Sequence, residues 1–203
     1  MPVHNSSRSA WLYTNLKTTR YRNGDLIPTG LSDTQWQNTT TGAYAIYNDI
    51  AQNNNIYGKL YNWYAVADPR ELCPTGWHVP SDSEWNQLVK FLDPQADTIC
   101  LACPQSQIAG GMMKSVGDLQ SGTGLWEIPN TGATNSSGFS GLPGGTRYIN
   151  GSYGEVGDYG YWWSSTPFGT NDAWSRELSY DNGIVNSYYL VKQNGFSVRC
   201  IRD

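Results

Sequence analysis

The stretch GWHVPSDSEWNQLVKFL, residues 76–92, specifies a helix more clearly than any other part of the chain. Ser81 and Glu84 have the spacing of a capping box, in which each side chain accepts the backbone N–H of the other residue. The pair Asp93-Pro94 ends the helix, because a residue before proline disfavours helical geometry. Such a helix needs another layer of structure to cover its apolar stripe. The stripe has the spacing i, i+3, i+4 and i+7 and consists of Trp85, Leu88, Val89 and Leu92.

The composition is typical of a loop-rich fold whose surface is polar but weakly charged. The 203 residues suffice for one domain with its own core, and they include 9 Trp, 14 Tyr and 22 Gly but only 15% charged residues. Tyr and Trp provide rigid contact area in binding surfaces, while Ser, Asn and Gly provide adaptable hydrogen bonds. An irregular β-rich fold without a binding role accounts for the same composition. A net charge of −4 without a Lys/Arg cluster argues against nucleic acid and anionic membranes as partners.

The pattern predicts a flexible leader at residues 1–10 and a single domain at residues 11–203. No run of about 18 apolar residues is present, so no membrane-spanning segment is predicted. The polar residues after Met1 do not resemble a signal peptide. Two interpretations stay open, an intracellular chain and a chain whose leader or anchor is not part of this sequence.

The four cysteines allow three pairings. One pairing joins Cys73, just before the predicted helix, to Cys200, and closes a long loop that would constrain the unfolded state. Cys100 and Cys103 form a lone C-x-x-C without a second pair or a nearby His, which favours a local disulfide over a zinc site or a redox motif. Two disulfides would fit an exported protein, and free thiols are the alternative.

The remaining elements are predicted from periodicity and turn residues. Asp181-Asn182-Gly183 and Gln193-Asn194-Gly195 are typical hairpin turns, and Phe196, Val198 and Cys200 alternate as the inward residues of a last strand. Antiparallel hairpins packed on one well-capped helix make an α+β fold. The other predictions are an edge strand at 11–16, a loop anchored by Trp36 at 33–41, an amphipathic helix at 42–55, a strand or buried helical turn at 59–66, an insertion-like loop at 93–106, irregular chain at 107–145, and strands at 161–165, 173–180 and 184–191.

Five motifs resemble one family in the same order along the chain. They are YGKLYNWYAV (57–66), CPTGWHVP (73–80), GFSGLPGG (138–145), WSS (163–165) and GFSVRC (195–200). Together they resemble the Fibrobacter succinogenes major paralogous domain family over residues 11–203. The resemblance implies a C-type lectin-like fold, in the version shared with formylglycine-generating enzyme, and a disulfide between Cys73 and Cys200. It also implies a surface or lipid-anchored protein of gut or rumen bacteria.

The tail has a second resemblance, to the variable regions of diversity-generating retroelement target proteins. It runs from GYWWSS (160–165) to GFSVRC (195–200). Such proteins use the C-type lectin fold as a rigid frame, and adenine-directed mutagenesis changes the residues on its face, mostly at Asn-type codons. The resemblance implies a frame of Trp162, Trp163, Leu178 and 196–200, within a variable ligand-binding region at 147–203.

The inventory of reactive groups is small. His4 and His78 are the only histidines, which leaves no Ser/His/Asp arrangement and rules out the three-His iron site of some relatives. The reactive cysteines of formylglycine-generating relatives have no counterpart at matching positions. The pairs Glu155/Asp158 and Asp172/Glu177 are interpreted as solvated loop charges rather than a glycosidase pair.

Calcium-dependent sugar binding has no support in the sequence. The Glu-Pro-Asn and Gln-Pro-Asp tripeptides of such lectins are absent, and Trp163-Ser164-Ser165 stands where Trp-Asn-Asp would supply a carboxylate. We therefore predict no metal, no cofactor and no catalysis.

The sequence thus predicts a non-catalytic binding protein that is extracellular or at a cell surface, with a phage-associated location as an alternative. Its predicted ligand is a protein or glycan on another cell, phage or host surface. One alternative is a fixed surface-lipoprotein module for carbohydrate binding or adhesion, and a third is an oxidoreductase relative of formylglycine-generating enzyme. Exposed aromatic clusters usually contact a partner. The predicted ligand-binding residues are Tyr159, Tyr161, Asn171, Asp172, Arg176, Tyr180, Tyr188 and Tyr189.

Overall fold

The computed structural model describes residues 10–203. The predicted leader at 1–10 therefore lies outside the described residues except for Ala10, as does His4. The helices of the described chain lie between residues 33 and 113, and only one of them is longer than two turns. In residues 10–203 the helices are α1 (Asp33–Asn38), α2 (Ala51–Tyr57), α3 (Trp63–Val66), α4 (Asp82–Leu92) and α5 (Ala109–Met113).

The strands form one large sheet and two small ones within the described chain. The large sheet has the order β4-β9-β8-β7-β5-β6, and the small sheets pair β1 with β2 and β3 with β10. The α+β prediction is confirmed, but β5 runs parallel to β7, so the sheet is not built from antiparallel hairpins alone. The C-type lectin-like assignment stays a prediction. The strands are β1 (Tyr44–Ala45), β2 (Leu60–Tyr61), β3 (Trp77–His78), β4 (Cys103–Ser106), β5 (Gly144–Arg147), β6 (Tyr153–Val156), β7 (Tyr159–Phe168), β8 (Asp172–Ser179), β9 (Val185–Val191) and β10 (Ile201–Arg202).

Helix α4 has the capping box that the sequence predicts. The Ser81 hydroxyl accepts the Glu84 N–H at 3.3 Å, and the Glu84 carboxylate accepts the Ser81 N–H at 2.8 Å. The predicted stripe is buried at Trp85, Val89 and Leu92 and partly buried at Leu88. It packs on one face of the large sheet, against a cluster that includes Trp162, Leu178 and Val185.

The N-terminal half covers much of the opposite face of the sheet. The Trp63 indole N–H donates to the Ser164 carbonyl at 2.9 Å, and the Trp163 indole N–H donates to the Tyr61 carbonyl at 2.8 Å. Because both indoles are buried, these bonds satisfy polar groups that would otherwise be costly inside the core. Each face of the large sheet is therefore partly covered by other elements, and the remainder of each face is open to solvent.

All four cysteines are paired. Cys73 is bonded to Cys200, with 6.0 Å between the Cα atoms, and this bond joins the segment before β3 to the residue before β10. Cys100 is bonded to Cys103 at the start of β4. The predicted pairing and the predicted local disulfide are confirmed, and the alternative of free thiols is wrong for this structure.

Several predictions for the first half are wrong. Residues 11–16 form no strand, only a bridge from Trp11 to Ile201. Residues 33–41 contain α1, whose Ser32 and Gln35 form a second capping box, although Trp36 is buried as predicted. Residues 42–55 contain β1 and a 3₁₀ turn (Tyr47–Asp49) before α2, which runs through the Asn triplet instead of ending there. Residues 59–66 hold both alternatives, β2 and then α3.

The tail follows the prediction more closely. The strands expected at 161–165, 173–180 and 184–191 are confirmed as β7, β8 and β9. The last strand is shorter than predicted, because only β10 forms. Residues 196–200 do not alternate in burial, since Ser197 and Arg199 are as buried as their neighbours. The segment expected as a loop at 93–106 contributes β4, an edge strand paired with β9. Within the described residues, no helix has the length and apolar character needed to cross a membrane.

Candidate functional site: a tyrosine-lined cleft

Strand alternation places chemically related side chains from three strands on one face of the large sheet. Tyr161 of β7 lies opposite Glu177 of β8, and Glu177 lies opposite Asn186 of β9. Tyr159 and Tyr188 point to the same side, because successive side chains of a strand alternate between its faces. This cluster lies next to the part of the face that the N-terminal half covers, in which Trp163 is buried.

A cleft of about 410 Å³ opens on this face. Strands β7, β8 and β9 of the large sheet form the floor of the cleft. The hairpin of β5 and β6, at one edge of the sheet, forms a wall. A volume of this size is in the range of small-molecule and side-chain binding sites. The lining residues are Thr146, Tyr148, Glu155, Tyr161, Glu177, Tyr188, Leu190, Asn194 and Phe196.

Two carboxylates in the cleft are held by neutral donors. The Tyr161 hydroxyl donates to Oε2 of Glu155 at 2.9 Å, and the Asn186 amide donates to Oε1 of Glu177 at 2.9 Å. Burial raises the pKa of Glu177, and the negative charge of Glu155 raises that pKa further against the effect of the Asn186 hydrogen bond. The carboxylates therefore share a site in which the ionised form of Glu177 is disfavoured.

One tyrosine of the cleft, Tyr161, forms part of an aromatic stack. The Tyr161 ring stacks on Phe196 at 4.8 Å and 16°, and on Tyr159 at 5.9 Å and 22°. Burial raises the pKa of Tyr161 strongly, and it raises the pKa of Tyr148 to about 12 with help from Glu155. Both hydroxyls are therefore neutral over the physiological pH range, and neighbouring rings hold the Tyr161 ring in place.

Three of the predicted ligand-binding residues lie at a different place. Asn171 and Asp172 lie at the turn between β7 and β8, at the opposite end of the strands from Tyr159. Tyr189 is on the other face of β9, 38% exposed, and stacks on Phe168 at 3.9 Å. Tyr189, Phe168 and the buried Trp174 form a second aromatic group, and none of the three lines the cleft.

Arg176 does not reach the surface, so its place in the predicted binding set is wrong. Its side chain is 0% exposed, forms an ion pair with Asp82 at 2.7 Å and donates to Oδ1 of Asn86 at 2.7 Å. The alternation that exposes Glu177 turns Arg176 towards α4, which explains the difference. Tyr180 is half-buried and packs against the cluster around Trp85.

The sequence reasoning missed the acidic part of the site. Glu155 and Glu177 were each paired with a nearby Asp in sequence, whereas the structure brings the two glutamates into one cleft. The pairing register of β7 with β8 decides this, because it sets Glu177 beside Tyr161. Tyr148 and Asn194 also line the cleft, and no local pattern in the sequence marks them.

Both ring nitrogens of His78 are within hydrogen-bond distance of carboxylates. Nδ1 lies 2.7 Å from Oδ1 of Asp203, and Nε2 lies 2.8 Å from Oε1 of Glu84. Burial lowers the pKa of His78, but the hydrogen bonds to Asp203 and Glu84 outweigh it, and the pKa is raised above 6.5. The imidazole therefore links β3, the cap of α4 and the residue after β10. Within residues 10–203, no group of three or more His, Cys, Asp or Glu side chains is arranged to hold a metal ion.

These features describe an α+β domain with a tyrosine-lined, carboxylate-bearing cleft on its main sheet. The sequence profile of the Fibrobacter succinogenes major domain matches residues 6–202. The chain therefore belongs to this family. No curated protein and no solved structure matches the chain.

Proposed function

We propose that this member of the Fibrobacter succinogenes major domain family is a non-catalytic ligand-binding domain and that its ligand occupies the cleft. One observation carries the proposal. Three tyrosines and two glutamates line an open cavity of about 410 Å³; Glu155, Tyr161, Glu177 and Tyr188 come from four different strands, and Tyr148 directly follows β5. Rigid aromatic rings with polar tips are the side chains that dominate protein recognition surfaces. The ligand is a protein or glycan on another cell, phage or host surface.

The remaining chemistry of the described chain supports binding over catalysis. His78 is committed to Glu84 and Asp203, and it lies on β3 rather than at the cleft. The disulfides leave no thiol among the four cysteines, which argues against an oxidoreductase related to formylglycine-generating enzyme.

The proposal includes a C-type lectin-like frame that carries a variable region of the diversity-generating retroelement type. The burial of Trp162, Trp163, Leu178 and Phe196 supports this part, because a rigid frame must keep its core while its faces change. Sequencing the flanking DNA tests it. A nearby imperfect copy of the 3′ end, differing almost only at adenines and beside a reverse transcriptase, is the expected result. Without such a copy, a fixed surface-lipoprotein module for carbohydrate binding or adhesion takes its place.

An extracellular or cell-surface location is part of the same proposal. Two disulfides, Cys73–Cys200 and Cys100–Cys103, support it, because disulfides persist in oxidising compartments. Labelling intact cells with a membrane-impermeant reagent tests the location. Labelling only after lysis would contradict it.

A binding screen tests the role of the cleft. The purified domain is screened against glycan and host surface-protein arrays, and hits are measured again with Tyr148→Ala. Tyr148 lies at the open side of the cleft, 36% exposed, so its loss should weaken binding by about tenfold or more without unfolding the domain. Tyr13→Ala is the matched control, because Tyr13 is 56% exposed and does not line the cleft. Equal affinities for both variants would contradict the proposal.

A further inference from the structure

The cleft has carboxylates but no cation of its own among its lining residues. The charged or titratable groups coupled to Glu177 include Glu155, Asp181, Tyr159, Tyr161 and Tyr188, and none of these is basic. Nearby cations are engaged elsewhere. Lys192 donates to the carbonyls of Gly169 and Thr170, and Arg147 donates to the Gly151 carbonyl and to Asp33.

Such a site costs the folded protein stability. Glu177 loses part of its hydration, and its side-chain hydrogen bonds are with neutral groups, the Asn186 amide and the Tyr161 hydroxyl. A glutamine at this position would accept the hydrogen bond from Asn186 without a charge. The carboxylate therefore serves something other than the fold, which is the usual situation of a functional site that lowers stability.

The aromatic residues of the cleft fit the same kind of occupant as its carboxylates. The face of a tyrosine ring attracts a cation within about 6 Å, and the attraction grows when water is excluded. Tyr148, Tyr161 and Tyr188 line the cleft together with both carboxylates. A neutral polyol would find hydrogen-bond partners here, but it would leave the charge of Glu177 uncompensated.

We propose that the cleft receives the ammonium or guanidinium group of a lysine or arginine side chain from a partner protein, held by Glu155 and Glu177 and flanked by Tyr148 and Tyr188. The inference rests on the proposed function, since it names the chemical class that the same cleft recognises. It commits the ligand to a protein with a protruding basic side chain, and a glycan becomes a contrary outcome of the test.

Small probes test the charge directly. The ¹⁵N-labelled domain is titrated with N-acetyl-lysine methylamide and N-acetyl-arginine methylamide, and separately with their neutral counterparts, the norleucine and citrulline methylamides. The cations should shift amide resonances of β8 and β9 around the cleft and bind at least about tenfold more tightly than the neutral probes. Equal binding of charged and neutral probes, or binding of monosaccharides alone, would overturn the inference.

Glu177→Gln separates a recognition role from a structural one. Binding of the cationic probes should fall about tenfold or more, while the unfolding free energy at neutral pH should rise. The sign follows from the raised pKa of Glu177, because stability from such a group is present below its unfolded pKa and lost as pH rises through the folded one. A structural carboxylate would instead lose stability. Glu71→Gln is the control, because it removes the same charge from an exposed site that pairs with Arg22.

The two proposals fail in distinguishable ways. If Tyr148→Ala abolishes capture of a macromolecular ligand while Glu177→Gln and the cationic probes have no effect, the proposed function stands and the inference falls. If the cationic probes bind in the cleft but Tyr148→Ala leaves the affinity for every ligand from the screen unchanged, the inference stands and the proposed function falls.

Discussion

Two fully buried arginines show how single residues hold this fold together. Arg176 is paired with Asp82 and joins β8 to α4. Arg199 has no carboxylate partner among residues 10–203, and it donates instead to the carbonyls of Leu12 and Phe139 and to the Asn15 side chain. Burial lowers the pKa of Arg199 to about 9, so its hydrogen bonds must offset a real loss of hydration. Both residues are part of the core and not of a surface.

Arg176→Ala should lower the unfolding free energy by about 3–5 kcal/mol, because it leaves Asp82 partly buried and without its counter-charge. Urea denaturation followed by tryptophan fluorescence measures the change. Arg20→Ala is the control, since Arg20 is exposed and bonds only within its own loop. A loss below about 1 kcal/mol for Arg176→Ala would show that the buried pair is not needed.

His78 should make stability depend on pH. Its pKa is raised above 6.5, so the contacts with Glu84 and Asp203 stabilise the fold fully below that value. The stabilisation is lost as pH rises through the folded pKa. The stability difference between the wild type and His78→Ala should therefore be larger at about pH 6 than at about pH 9. An equal difference at both pH values would contradict a charged His78.

At the scale of elements, α4 depends on its cap. Ser81→Ala removes the acceptor of the Glu84 N–H and should cost about 1 kcal/mol, measured by thermal or urea unfolding. Ser83→Ala is the matched control in the same helix, because Ser83 is exposed and is not the cap residue. Equal effects of the two substitutions would mean that the capping box contributes nothing measurable.

Helices that begin with a capping box can be predicted from the sequence, because the capping box is a short local pattern. Ser81 and Glu84 define α4 from sequence, and the same spacing at Ser32 and Gln35 marks α1, which a reading of 33–41 as loop overlooked. Tertiary packing decides the rest. The segment 42–55 has helical spacing, but β1 forms there because Tyr44 pairs with Tyr61 across a long separation in the chain.

The residues of the candidate site also divide into those that local sequence patterns predict and those that only the folded structure brings together. Tyr161 and Tyr188 are visible in the strands of the tail, whereas no local pattern marks Tyr148. The glutamates of the site are not visible either, because only the register of β7, β8 and β9 brings Glu177 beside Tyr161 and turns Arg176 inward. A shift of one residue would exchange the two faces, so sequence alone cannot assign them without the pairing.

At the scale of the whole molecule, the Cys73–Cys200 disulfide closes most of the domain. It joins residues 127 positions apart, whereas Cys100 and Cys103 are 3 apart. Replacing Cys73 and Cys200 by serine should therefore cost about 5 kcal/mol through the entropy of the unfolded chain, against about 2 kcal/mol for the same change at Cys100 and Cys103. Guanidinium unfolding of both double variants measures this difference. The reverse order would contradict the role assigned to the long loop.

Two aromatic groups lie on opposite faces of the large sheet, the tyrosines of the cleft and the group of Phe168, Trp174 and Tyr189. Tyr188 lines the cleft, and its neighbour Tyr189 stacks on Phe168 on the other face. The pair offers an internal comparison, because the two residues share a strand and a side-chain type.

The most direct test of the account is the affinity of one ligand from the screen for Tyr188→Ala and for Tyr189→Ala, measured by calorimetry on samples whose folding is verified. We predict a loss of about tenfold or more for Tyr188→Ala and a change within about twofold for Tyr189→Ala. A loss confined to Tyr189→Ala would place the ligand on the opposite face and contradict the assignment of the cleft.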